Sequence, residues 1–228
     1  MSIADNVEEI RRRMEAARAR AGRSDSVLLV AATKTRTADE VRQAIAAGVD
    51  ACGENRIQEM TEKLSANAYV DAPLHFIGTL QKNKVKYAVG SVQLIESVNS
   101  PELMREIDRL ALRRQTVQDV LLEINIAGES TKSGAGREQL EEMLCSAGQM
   151  KGLRVRGLMA IPPAAQEPGQ TRPFFAQMYK LFVDTASKKY DNVTMDILSM
   201  GMSGDFEDAI MEGATAVRIG TALFGQRI

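Results

Sequence analysis

Lys34 ends the apolar run VLLVAAT (27–33) and is followed at once by Thr35, Arg36 and Thr37. An amine at such a strand end, walled by apolar side chains and near other cations, can lose enough basicity to attack a carbonyl and form a Schiff base. A lysine that simply reaches water from the strand end fits the same pattern. Two glycine-bearing segments near the C-terminus supply complementary chemistry: LSMGMSGDFEDAI (198–210) and RIGTALFG (218–225). Ser199 and Ser203 can donate hydroxyls, Gly201 and Gly204 let the backbone approach a ligand, and Gly220 and Thr221 open a turn. Free N–H groups at that turn favour an anion, so the pair of segments reads as a phosphate cup. Tight turns with capping serines would use the same residues.

Arg218 lies within AVRIG (216–220), so its guanidinium needs a buried partner or a ligand. A pyridine nitrogen of a cofactor stretched between Lys34 and the cup would suit it. A permanently cationic arginine there discourages protonation of that nitrogen and weakens the ring as an electron sink. An ion pair with a strand carboxylate such as Glu123 is the alternative. His75 is the sole histidine and sits in LHFIG, which suits a core or pocket wall better than a general base. Lys82, Lys84 and Lys86 read as a solvated helix face, with attraction of an incoming phosphate as the second reading. Lys132 in ESTKSG falls in a loop within reach of the same mouth and could pass an aldehyde on by transimination. Met195, Met200 and Met202 read as core filler rather than a metal site, and Cys52 and Cys145 have no metal or disulfide spacing.

These residues must be positioned by alternating strands and helices. A helical period runs from Ile3 to Ala21 and ends at Gly22. Strand candidates then follow at 27–33, 50–54, 74–78, 93–98, 119–127, 153–161, 195–201 and 215–220, the second and eighth being the least marked. Amphipathic segments separate them, among them TADEVRQAIAAG, NRIQEMTEKLSA, SPELMREIDRLALRR, REQLEEMLCSAG and TRPFFAQMYKLFVDTASKK. Strands that alternate with helices must be mostly parallel, and eight units without a break in composition predict a single (β/α)8 TIM barrel over 1–228. The proline-rich IPPAAQEPGQTRP reads as a mobile loop at the barrel mouth. A Rossmann-like sheet is the competing architecture, but the first turn reads ATKTRTADE and lacks the glycine fingerprint.

The formal net charge of −1 offers no basic excess for nucleic acid, and no apolar stretch nears the roughly 20 residues of a membrane span. The N-terminus carries no signal-like apolar region, so a cytoplasmic location is expected.

In combination and in order, VAATKT, GENRIQE, HFIGTLQKNK, ESTKSG, GLMAI, LSMGMSGD and VRIGTALFG resemble the YggS/PROSC family of pyridoxal phosphate (PLP) homeostasis proteins over nearly the whole chain. The resemblance implies a barrel like the N-terminal domain of alanine racemase, usually monomeric, with the cofactor lysine at Lys34. It further implies that Ser199, Gly220 and Thr221 contact the phosphate and Arg218 the pyridine nitrogen, while Asn55, His75, Met200, Met202 and Ser203 line the pocket. Arg56, Ile57 and Thr79 depart from the family pattern at the rim. The implied role is binding PLP and supplying it to apo-enzymes, without turnover. A racemase-like enzyme of weak activity is the alternative. It would need an acid or base on each face of the cofactor, and Tyr69, Tyr87, Tyr179 and Tyr190 all fall in helical segments or at their ends. A phosphosugar isomerase or aldolase barrel would use the same phosphate cup.

Overall fold

The computed structural model describes residues 2–128, 133–165 and 167–226, apart from the side chain of Arg137. Eight parallel strands close in sequence order, the last pairing with the first. They are β1 (Leu28–Ala32), β2 (Ala51–Glu54), β3 (Leu74–Phe76), β4 (Leu94–Val98), β5 (Gln118–Ile124), β6 (Leu153–Ala160), β7 (Val193–Ser199) and β8 (Ala216–Ile219). The TIM-barrel expectation holds, including the two least marked strands. The third and fifth strands stop earlier than the apolar runs suggest, at Phe76 and Ile124.

Outside the barrel lie α1 (Ile3–Arg20), α2 (Ala38–Ala46), α3 (Ile57–Ser65), α4 (Val85–Ala88), α5 (Pro101–Arg113), α6 (Arg137–Ala147), α7 (Arg172–Ser187), α8 (Phe206–Met211) and α9 (Thr221–Phe224). Local chemistry sets several starts. Ser2 and Thr37 make capping boxes with Asp5 and Glu40, and Ser100 caps α5 ahead of Pro101. Among the described residues no helix is long and apolar enough to cross a membrane.

Strand alternation divides the apolar residues into two cores. Leu29, Ala31, Phe76, Ile95, Leu122, Leu198, Val217 and Ile219 face the helices in the main core. Leu94, Leu121 and Met159, with Ile197 against them, fill the lower lumen. Above that plug the lumen is polar: Glu96, Glu123, His75, Ser199 and Arg218 are all buried. Irregular register between β5, β6 and β7 centres on Gly157, at φ +149°. A Cβ there would lie 1.9 Å from the Ile197 carbonyl oxygen, so only glycine lets the two strands pair.

Candidate functional site

The carboxyl ends of β1, β7 and β8 bring the principal sequence candidates together. Lys34 follows β1 in a turn closed by the Arg36 N–H on the Thr33 carbonyl (3.1 Å). Thr35, at φ +63°, occupies a region that a β-branched residue rarely adopts. The neighbours hold it there: Thr35 N–H donates to Glu59 Oε2 at 2.6 Å, and Lys63 Nζ donates to the Thr33 carbonyl at 2.6 Å. Lys34 itself is half-buried, and among the described residues nothing hydrogen-bonds or ion-pairs with its ammonium.

Beneath that turn, Glu54 is fully buried. It accepts from Thr33 Oγ1 (2.7 Å), from Tyr69 OH (2.8 Å) and from Lys63. Burial and the Glu54 charge push the Tyr69 phenol well above its usual range, so Tyr69 serves as a donor and not as a base. Tyr87 stands between Lys84 and Lys86, with the ammonium groups 5.8 and 5.0 Å from its ring centre. Lys82 and Lys84 form a short 3-10 turn, Lys86 lies in α4, and all three are exposed, as a solvated face requires.

On the other side of β1, register pairs Val30 with Arg218 and Ala31 with Ile219. Ala32 therefore adjoins Gly220, where an added Cβ would meet the Ala32 Cβ at 3.6 Å. Gly220 begins the α9 turn. Its N–H and that of Ala222 both point at Ser203 Oγ, at 3.1 and 3.2 Å. Thr221 is exposed beside them. Gly201, at φ +92°, brings the preceding loop close, since a Cβ would lie 2.5 Å from Ala209 Cβ.

Arg218 points into the polar lumen, where NH1 donates to Ser199 Oγ (2.6 Å) and NH2 to the Ala160 carbonyl (2.9 Å). Ser199 in turn donates to Glu96 Oε2 at 2.6 Å, and His75 Nδ1 lies 2.7 Å from Glu96 Oε1. An ionised carboxylate only accepts, so Nδ1 carries the imidazole proton. Burial raises the Glu96 carboxyl, but the His75 hydrogen bond, the charges of His75 and Arg218 and the Ser199 hydroxyl outweigh it, leaving the carboxyl below its usual range. The alternative of a strand carboxylate such as Glu123 near Arg218 is met by a different one, since Glu96 Oε2 is 3.8 Å from Arg218 NH1. Glu123 is bonded to Ser133 instead, and burial raises its carboxyl. Glu96 was missed in the sequence, although a glutamate inside LIESV was signal enough to seek a buried partner.

Two further residues that the resemblance places at the ligand have protein contacts of their own. Ser199 donates its hydroxyl hydrogen bond to Glu96 below the mouth, whereas Ser203 is the serine at the α9 turn. Met200 is fully buried in the main core, and its N–H bonds the Ala216 carbonyl, because it falls on the outward face next to Leu198. Met202 is more than one-third exposed near the mouth. Asn55 follows β2, and its Oδ1 is buried without a hydrogen-bond partner. Lys132 lies outside the described residues. Cys52 is buried and Cys145 exposed, both as free thiols, and among the described residues no group of three or more His, Cys, Asp or Glu could hold a metal.

The family model of the alanine racemase N-terminal domain matches residues 5–228. The pyridoxal phosphate homeostasis protein of Aquifex aeolicus is 42% identical over 228 residues, covering 100% of this chain and 99% of the relative. That of Pseudomonas aeruginosa is 38% identical, covering 99% and 96%. PipY of Synechococcus elongatus, solved with PLP bound, superposes with a TM-score of 0.85 at 32% identity, covering 98% of this chain and all of that one. Alanine racemase from Streptomyces lavendulae shares the fold, with a TM-score of 0.77 at 18% identity, and this chain spans 58% of it. By sequence over its full length and by its closed barrel, the chain belongs to the pyridoxal phosphate homeostasis protein family, built on the alanine racemase N-terminal domain.

Proposed function

We propose that this protein binds pyridoxal 5'-phosphate, holds it as a Schiff base on Lys34 and supplies it to apo-enzymes in the cytoplasm, as part of vitamin B6 homeostasis. The observation that carries this is the juxtaposition across β1 and β8. Lys34, whose ammonium has no protein partner among the described residues, comes two residues after Ala32, which adjoins the Gly220 turn whose N–H groups converge on one oxygen, and a guanidinium lies in the lumen. Two further features fit the group. The relative PipY is described as binding PLP, and the unpartnered Asn55 Oδ1 gives the pocket wall a polar atom to satisfy.

Bound PLP supplies an aldehyde for imine formation and, where its pyridine nitrogen is protonated, an electron sink. The residues of this chain favour the first use over the second. Lys34 would supply the amine for the aldehyde, and Ser203, Gly220, Thr221 and the Ala222 N–H would hold the phosphate. Arg218 offers only donors to the ring nitrogen and has no proton to give at neutral pH. Ser199 and the Ala160 carbonyl accept from that guanidinium, and the Glu96 carboxylate faces it, so the residue beside the ring nitrogen is a cation and not a carboxylate. A carrier without turnover follows, in keeping with relatives named for homeostasis.

The test is the visible spectrum of protein loaded with PLP, before and after borohydride, with mass analysis of the trapped lysine. A band that reduction bleaches, with the modification on Lys34 and none in Lys34→Ala, is expected, together with no alanine racemase activity. Undiminished trapping in Lys34→Ala would sink the assignment, and turnover at enzymatic rates would replace the carrier by a racemase.

A further inference from the structure

The turn that carries Lys34 and the segment at the opposite end of the site are joined by one side chain. Arg36 is two residues past Lys34, and its own N–H closes the Lys34 turn on Thr33. Its side chain is 13% exposed. NH2 donates to the Gly225 carbonyl at 2.7 Å, and the guanidinium lies over the Phe224 ring, 5.3 Å from its centre. NH1 approaches Glu40 Oε1 at 3.4 Å, and Glu40 is itself fixed by the α2 capping box. Phe224 and Gly225 end the short α9 turn that Gly220 begins, and the N–H groups of Phe224 and Gly225 bond back to Gly220 and Thr221 at 2.9 and 3.0 Å. On its other flank the Lys34 turn is held by Glu59 and Lys63 of α3. A strained turn is thus clamped to α3 on one side and to α9 on the other.

We infer that Arg36 is a positioning residue that fixes the separation between the Lys34 amine and the N–H groups of α9, and so gives the site its preference for a phosphorylated aldehyde over the same aldehyde without phosphate. The inference rests on the binding mode proposed above. A ligand attached at two points gains from the second attachment in proportion to how firmly the two points are held relative to one another. Pyridoxal keeps the aldehyde and ring contacts but has no phosphate for the α9 turn, so it gains nothing from the brace. Lysine in place of Arg36 keeps the charge but not the flat stack on Phe224 combined with the carbonyl bond. Asn6 makes a useful comparison, because its Nδ2 donates to the Leu223 carbonyl at 2.8 Å and secures α9 from α1 without touching the Lys34 turn.

The experiment measures dissociation constants for pyridoxal phosphate and pyridoxal in the intact chain and in Arg36→Ala, Arg36→Lys and Asn6→Ala. It also measures amide hydrogen exchange over 33–37 and 221–225 without ligand. In both Arg36 variants the preference for the phosphate ester is expected to fall about tenfold, equivalent to about 1.4 kcal/mol. Pyridoxal binding should change less than about threefold, and exchange should quicken in both segments together. Asn6→Ala should quicken exchange in 221–225 alone. A wild-type preference in Arg36→Lys would overturn the brace in favour of direct attraction of the phosphate by charge. Unchanged exchange in 33–37 in Arg36→Ala would overturn it whatever the ligand does. Quickened exchange in a chain that traps no aldehyde on Lys34 would refute the proposed binding mode and the preference, leaving a purely structural contact.

Discussion

Replacing Glu96 by Gln tests the polar lumen most directly. The carboxylate accepts from Ser199 and His75 and faces Arg218 at 3.8 Å, all fully or almost fully buried. The amide keeps the shape, but it turns one acceptor into a donor and leaves the Arg218 guanidinium without its nearest counter-charge. Breaking a buried pair from one side costs about 3–5 kcal/mol. At about 2–4 °C per kcal/mol for a chain of this size, the melting temperature should drop by about 6–20 °C at pH 7. The pH dependence has a definite sign. The folded carboxyl lies below its ordinary value, so its contribution is fully present above the unfolded value of about 4.3 and is lost as pH falls through the folded one. Thermal melts followed by circular dichroism from pH 8 downwards should show a constant gap between the two proteins at neutral pH that narrows below about pH 4.3. A neutral-pH gap under about 2 °C, or one that widens on acidification, would refute the account of Glu96 as the charged centre of the lumen.

Two further substitutions and labels have clear outcomes. Gly157→Ala should cost about 4 kcal/mol or more, seen as lost soluble yield or a sharply lowered denaturation midpoint, because its Cβ would lie 1.9 Å from a strand carbonyl at φ +149°. Gly204→Ala, with nothing within 4 Å of the new Cβ, should stay within about 1 kcal/mol of the parent. A maleimide should label Cys145 alone in the folded protein and both thiols in denaturant, since burial pushes the Cys52 thiol up to about 12 and Cys52 is fully buried. Rapid labelling of both under native conditions would show that β2 opens readily.

The barrel was legible in the sequence because strand and helix periods differ and alternate for the length of the chain. The place of Lys34 just past the carboxyl end of β1 was legible because it ends an apolar run. Arg218 announced a need for a partner by lying between Val217 and Ile219. Which partner it takes is a property of the closed barrel. Glu96 and Ser199 come from strands 103 residues apart, and only closure brings their atoms to 2.6 Å. Met200 and Ser199 are adjacent in the chain, but alternation sends one into the helix layer and the other into the lumen. That division follows from the register of β7 against β8, which no local pattern specifies. The links from Arg36 to Gly225 and from Glu59 to Thr35 likewise span 189 and 24 residues. Residue types and their periods are local and can be read from the chain, whereas which charges share a lumen depends on strand order and register, and the tertiary structure alone sets those.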